Sequence, residues 1–76
     1  MKEMKYGKVN IKLEQLMNDQ KLSINKLSQA AGMQRYQLKR YIHNEIQRID
    51  LQILARLCCI LECSISDILE YTDEEN

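Results

Sequence analysis

Apolar residues recur every three or four positions along most of this chain, the spacing of helices that each bury one face. The stretch YGKVNI can run as a short extended segment, after which Asn10 is a candidate N-cap and Val9, Leu13, Leu16 and Met17 share one helical stripe. This first helix is expected to end near Gln20, with DQKL as its exit. Ser23 then caps INKLSQAA, whose inner face is Leu27 with Ala30 or Ala31. Gly32 breaks that helix, because a glycine just past the last turn takes up the left-handed conformation at no steric cost. Only Met33 and Gln34 separate it from a third helical pattern, and helices joined by so short a turn must cross steeply. Met33 is expected to plug the inside of the corner, with Leu38, Tyr41 and Ile42 holding the third helix on the core. Arg35, Tyr36, Gln37, Lys39, Arg40 and His43 then face outward, and Asn44 is a left-handed stop.

The second half repeats the logic. Asp50 caps LQILARLCCIL, where Leu51, Leu54, Cys58 and Leu61 lie on one side and Leu57, Ile53 and Ile60 widen it to an arc of about 180°, against roughly 100° for an ordinary surface helix. Ser64 with Asp67 three residues on is a capping-box start for SISDILEY, in which Ile65, Ile68 and Leu69 would pack. The expected fold is all-α: five short helices around one core, with residues 1–8 a basic lead-in, 9–71 the domain and 72–76 an acidic tail.

Seventy-six residues suffice for one domain near the lower limit for folding without staples. No segment approaches the roughly 18 apolar residues that span a bilayer, and the expectation is a cytoplasmic protein with reduced thiols. Cys58, Cys59 and Cys63 are crowded into one region and, with a single His, do not supply the spacing of a Zn site. Cys58 reads as a small core residue and the other two as partly buried fillers. No metal or cofactor is expected. The formal net charge of zero hides a split: residues 1–48 hold ten Lys and Arg against four acids, and residues 49–76 hold Arg56 against seven. A molecule so polarised can approach a polyanion with one side.

Counted from Ile24, the corner has Leu27 at the fourth position, small Ser28 at the fifth, Ala31 at the eighth, Gly32 at the ninth, Met33 at the tenth, Leu38 at the fifteenth and Tyr41 at the eighteenth. This pattern resembles the helix-turn-helix of the Cro and lambda-repressor (XRE-like) regulators of bacteria and phages, a lambda-repressor-like DNA-binding domain. The ending RIDLQILARLCCILECSISDILEY is similar to that of the family's small single-domain members. The likeness covers roughly residues 9–71.

The resemblance implies a sequence-specific DNA-binding transcriptional regulator, a repressor, whose recognition helix at about 34–44 enters the major groove. Base contacts would then come from Gln34, Arg35, Tyr36 and Gln37, with Arg40 deeper in the groove or on phosphate: Arg suits guanine, Gln suits adenine, and Tyr can pack on a thymine methyl or hydrogen-bond a phosphate. Ser23, Asn25, Lys26, Lys39 and Arg48 would contact phosphates, which position the protein without reading sequence. Three departures bear on this. Ile24 stands where the family usually has a phosphate-clamping Gln, Gln34 replaces the common Ser or Thr cap, and Glu45 and Gln47 occupy a loop that is usually richer in Lys.

Three or four base contacts at about 1–3 kcal/mol each fall short of nanomolar selectivity against a genome, so a homodimer on palindromic double-stranded DNA is expected. The wide arc of the fourth helix, the fifth helix and the chain ends are the expected seam. No small-molecule effector is evident, and the protein would sit on the nucleoid when bound. The alternative is an antitoxin-like or other protein-interaction module on the same fold. An enzyme is not expected: there is no Ser/His/Asp set, no phosphate-cradling glycine loop and no pair of acids in an apolar setting.

Overall fold

Four consecutive helices of this protein end in the same way, each on a residue with positive φ. A computed structural model describes residues 5–73, and within them run β1 (Lys8–Ile11), α1 (Leu13–Asp19), α2 (Ile24–Ala31), α3 (Arg35–Ile42), α4 (Leu51–Leu61), α5 (Ile65–Ile68) and β2 (Leu69–Thr72). The left-handed residues are Lys21, Gly32, Asn44 and Glu62, with φ of 53°, 67°, 58° and 52°. At each, two backbone bonds close the helix end. Leu22 N–H donates to Met17 O (2.9 Å), Met33 to Ser28 (3.0 Å), Glu45 to Arg40 (2.8 Å) and Cys63 to Cys58 (3.0 Å). The preceding N–H of each end bonds three residues back, the Schellman arrangement that satisfies otherwise orphaned carbonyls. Gly32 and Asn44 fit the expectation; Lys21 and Glu62 adopt the same conformation without being residues that favour it.

The helix starts are equally local. Ser23 Oγ accepts from Lys26 N–H (3.2 Å), Asp50 Oδ1 from Gln52 and Ile53 N–H (2.9 and 3.3 Å), and Ser64 with Asp67 forms a complete capping box. The bonds from the Ser64 backbone and hydroxyl hold the Asp67 carboxyl below its ordinary range, aided by the charge of Lys12.

The fold departs from all-α by a two-stranded antiparallel ribbon. β1 pairs with β2 in the register Lys8–Thr72, Val9–Tyr71, Asn10–Glu70 and Ile11–Leu69. Two expectations fall with it. Asn10 does not cap α1: it lies in β1, and its side-chain amide donates to Thr72 Oγ1 (3.1 Å). Lys12 N–H is drawn to Ile68 O (2.7 Å), the strand runs to Ile11 and α1 opens only at Leu13, so Val9 leaves the α1 stripe. Nor is SISDILEY one helix. Its capping box supports a single turn, and Leu69 (φ −118°, ψ 141°) already belongs to the strand. A helix so short is marginal by itself, whereas the alternation of Leu69 and Tyr71 suits a pleat that β1 is there to pair. Gly7 makes the close approach possible: a Cβ there would collide with Thr72 O. Each strand extends one residue beyond the 9–71 limits. Residues 1–4 of the lead-in and 74–76 of the tail lie outside the described residues.

One core joins these pieces: Ile11, Leu13, Met17, Leu27, Ala31, Met33, Leu38, Tyr41, Leu54, Leu57, Leu61 and Ile68. Ser28 is buried among them, its hydroxyl donating to Asn25 O (3.0 Å), as expected of the small residue where α2 meets its neighbours. α2 packs on α3 and α4, and α1 on α3. Of the two alanines proposed to face inward on α2, Ala31 does and Ala30 is exposed. The broad apolar arc of α4 is mostly covered by the chain itself, since Leu54, Leu57 and Leu61 are buried and Ile53, Cys58 and Ile60 half-buried. Leu51, assigned to that arc, is instead 74% exposed. Cys58 and Cys63 are half-buried and brought together by the α4 end, where burial, followed by the neighbouring Cys58, pushes the Cys63 thiol up. Cys59 is exposed. No helix among the described residues is long and apolar enough to cross a membrane.

Candidate nucleic-acid interface

α3 is short, polar on one side and carries no acid, and its position is set from four directions. At its start, Gly32, Met33 and Gln34 make the turn from α2, with Met33 buried in the corner. Arg56 of α4 steadies that corner, its Nη1 donating to Ala31 O at 3.3 Å. Underneath, Leu38 is fully buried and Tyr41 nearly so. At its end, the Asn44 side chain grips β1 by both backbone atoms of Ile11: Ile11 N–H donates to Oδ1 (2.6 Å) and Nδ2 donates to Ile11 O (3.1 Å).

What remains outward is the expected set. Arg35, Tyr36, Lys39, Arg40 and His43 are exposed, Tyr36 by 68%, and Gln37 is half-buried. The helix spans Arg35–Ile42 within the expected 34–44, with Gln34 in extended conformation before it and Asn44 left-handed after it. Gln34 makes no side-chain cap bond, so its amide stands beside the first turn of α3.

The structure gathers only part of the candidate set into a single concave surface. An open groove of about 660 Å³ is lined by Gln37, Arg40, Tyr41, Glu45, Ile46, Gln47 and Arg48. Arg40 is oriented there by donation from Nη2 to Glu45 O (3.3 Å). Two guanidinium groups and two Gln amides along one groove can meet a phosphate or the edge of a base. Glu45 and Gln47, which sequence reading marked only as departures, line the same groove. Gln47 could have been found from its place between two hydrophobic anchors, Ile46 and Ile49, which leaves its side chain outward.

Ser23, Asn25 and Lys26 are exposed in the first turn of α2, apart from the groove lining. The Ser23 oxygen already accepts the capping bond, which leaves its O–H as the group available to an anion. Ile24 is half-buried against the core and cannot replace a polar clamp at that position. Lys39 is exposed on the outer face of α3. Sequence reading missed Asn44 as a tie and Arg56 as a brace, because both act on backbone atoms distant in the chain, and periodicity carries no trace of such partners.

Comparison with known proteins follows these features. Residues 12–74 match the Cro/C1-type HTH DNA-binding domain. The chain is 30% identical over 66 residues to the uncharacterized HTH-type transcriptional regulator YozG of Bacillus subtilis (strain 168), covering 87% of this chain and 79% of that protein. Its fold is similar to that of the transcriptional regulator VanUg, whose crystal structure superposes with a TM-score of 0.72 at 23% identity, over 97% of each chain.

Proposed function

This chain belongs to the Cro/C1-type helix-turn-helix family of DNA-binding domains, and on that premise we propose that it is a sequence-specific repressor that binds a palindromic operator as a homodimer. α3 is the recognition helix. Its first turn enters the major groove, with Gln34, Arg35, Tyr36 and Gln37 at base edges and Arg40 following. Ser23, Asn25, Lys26, Lys39 and Arg48 hold phosphates on either side. The observation that carries this reading is the exposed, acid-free outer face of α3, presented beyond a buried Leu38 and Tyr41. Occupancy of an operator that overlaps a promoter is all that repression asks of such a domain.

Selection from random duplex DNA, repeated at two salt concentrations, tests it. A recovered motif with two-fold symmetry, half-sites about one helical turn apart and affinity that falls with salt is the expected outcome. Recovery of no motif would remove the reading and leave the face to a protein partner.

A further inference from the structure

Among the residues that line the groove beside α3, one is an acid. Between Asp19 and Glu45 the sequence holds no Asp or Glu, and Glu45 then falls on the groove that Arg40 and Arg48 share with Gln37 and Gln47. Main-chain atoms hold it there. Glu45 N–H donates to Arg40 O (2.8 Å) in the closure of α3, and Glu45 O accepts from Arg40 Nη2 (3.3 Å). Arg40 thus meets this residue through its carbonyl. Among the described residues no hydrogen bond or ion pair takes up the exposed Glu45 carboxylate.

A carboxylate in this place opposes the feature that all duplexes share. Phosphate oxygens accept hydrogen bonds and donate none, and the same holds for a carboxylate, so no bond offsets their repulsion. Binding without regard to sequence comes almost wholly from phosphates meeting Lys and Arg. Salt at ~0.1 M screens charges only beyond ~10 Å, so an acid within the groove acts on any phosphate that Arg40 or Arg48 holds there. The first turn of α3, the base-reading end in the proposal above, carries no acid. Repulsion is therefore placed where a duplex offers only its backbone, and is absent where it offers its bases.

We propose that Glu45 is a brake on sequence-independent binding: it holds down the affinity for phosphate backbones of any sequence, so that a duplex is retained only where its bases satisfy α3. The inference rests on the DNA reading above and names the residue that limits the phosphate share of that binding. The side chain is dispensable for the fold, because both bonds that fix Glu45 are made by its backbone.

Fluorescence anisotropy of a labelled random-sequence duplex, titrated with the full chain at two salt concentrations, tests it. Glu45→Ala and Glu45→Gln are each expected to raise the affinity roughly threefold or more and to steepen the salt slope by up to about one. The alanine variant adds no donor, so its gain is a matter of charge alone. Glu45→Asp is expected to stay near the wild type. Glu62→Gln removes the same charge from an exposed residue that lines neither described groove and is expected to change little. The motif selected by Glu45→Ala should match that of the wild type. An unchanged or lower affinity in both neutral variants, an equal gain with Glu62→Gln, or a shifted motif, which would make Glu45 a base contact, overturns the proposal. If neither the wild type nor any variant binds a duplex, the DNA reading itself falls and takes this inference with it. Duplex binding that is indifferent to position 45 overturns the inference alone.

Discussion

Asn44 holds Ile11 by both its backbone N–H and its carbonyl, 33 residues apart in the chain. The same residue is left-handed at the end of α3, so it has two separable jobs. Asn44→Gly keeps the backbone conformation and loses the tie, with an expected cost of about 1–3 kcal/mol for the two part-buried groups left without it. Asn44→Ala loses the conformation as well and should cost roughly 1 kcal/mol more. Urea unfolding of both variants separates the effects; equal losses would mean that the side chain alone matters.

Arg35 and Lys39 lie one turn apart on the outer face of α3 and are assigned different roles. Arg35→Ala is expected to relax base preference at one operator position by about 1–3 kcal/mol. Lys39→Ala should weaken binding to all sequences alike and reduce the salt slope by about one. Titration of the selected operator and its single-base variants at two salt concentrations checks both; interchanged effects would exchange the roles.

Gly7 has no room for a side chain against Thr72. Gly7→Ala must part the strands or shift the chain there, at a cost of about 1–3 kcal/mol. Thermal unfolding reads the loss, and an unchanged midpoint would show that the ribbon does not close at that end.

The Asp67 carboxyl is held below its ordinary range chiefly by the bonds from Ser64. A depressed folded pKa gives stability that is present above the unfolded value, near 4, and is lost as pH falls toward the folded one. Wild type and Asp67→Asn should therefore differ by a constant margin in thermal midpoint above about pH 5 and converge on acidification below about 4. A margin independent of pH would assign the effect to shape and not to charge.

Much of the helical frame was legible because it is local. Ser23, Asp50 and Ser64 announce helix starts through their own side chains, Gly32 and Asn44 announce ends, and the three-and-four spacing of Leu54, Leu57 and Leu61 names the share of the core that α4 supplies. The ribbon was not legible. Lys8–Ile11 and Leu69–Thr72 are four residues each, too short for their alternation to stand out, and each is extended only because the other is present. For the same reason Val9 and Leu69 were assigned to helical stripes, and Leu51 to the inner arc of α4. On the candidate interface, the exposed face of α3 followed directly from the burial of Leu38 and Tyr41. Its fastening through Asn44 and Arg56 did not, since a bond from a side chain to a remote carbonyl leaves no pattern in the neighbouring residues.

The repeated left-handed helix ends have a bearing on inheritance as well as on stability. Each bend is completed by main-chain atoms, which every residue type other than proline supplies alike. Arg35, Tyr36 and Gln37 contribute no side chain to those closures, so mutation can rewrite them while the elbow keeps its shape. Changing the base-reading residues proposed above therefore leaves the bonds that close the elbow in place.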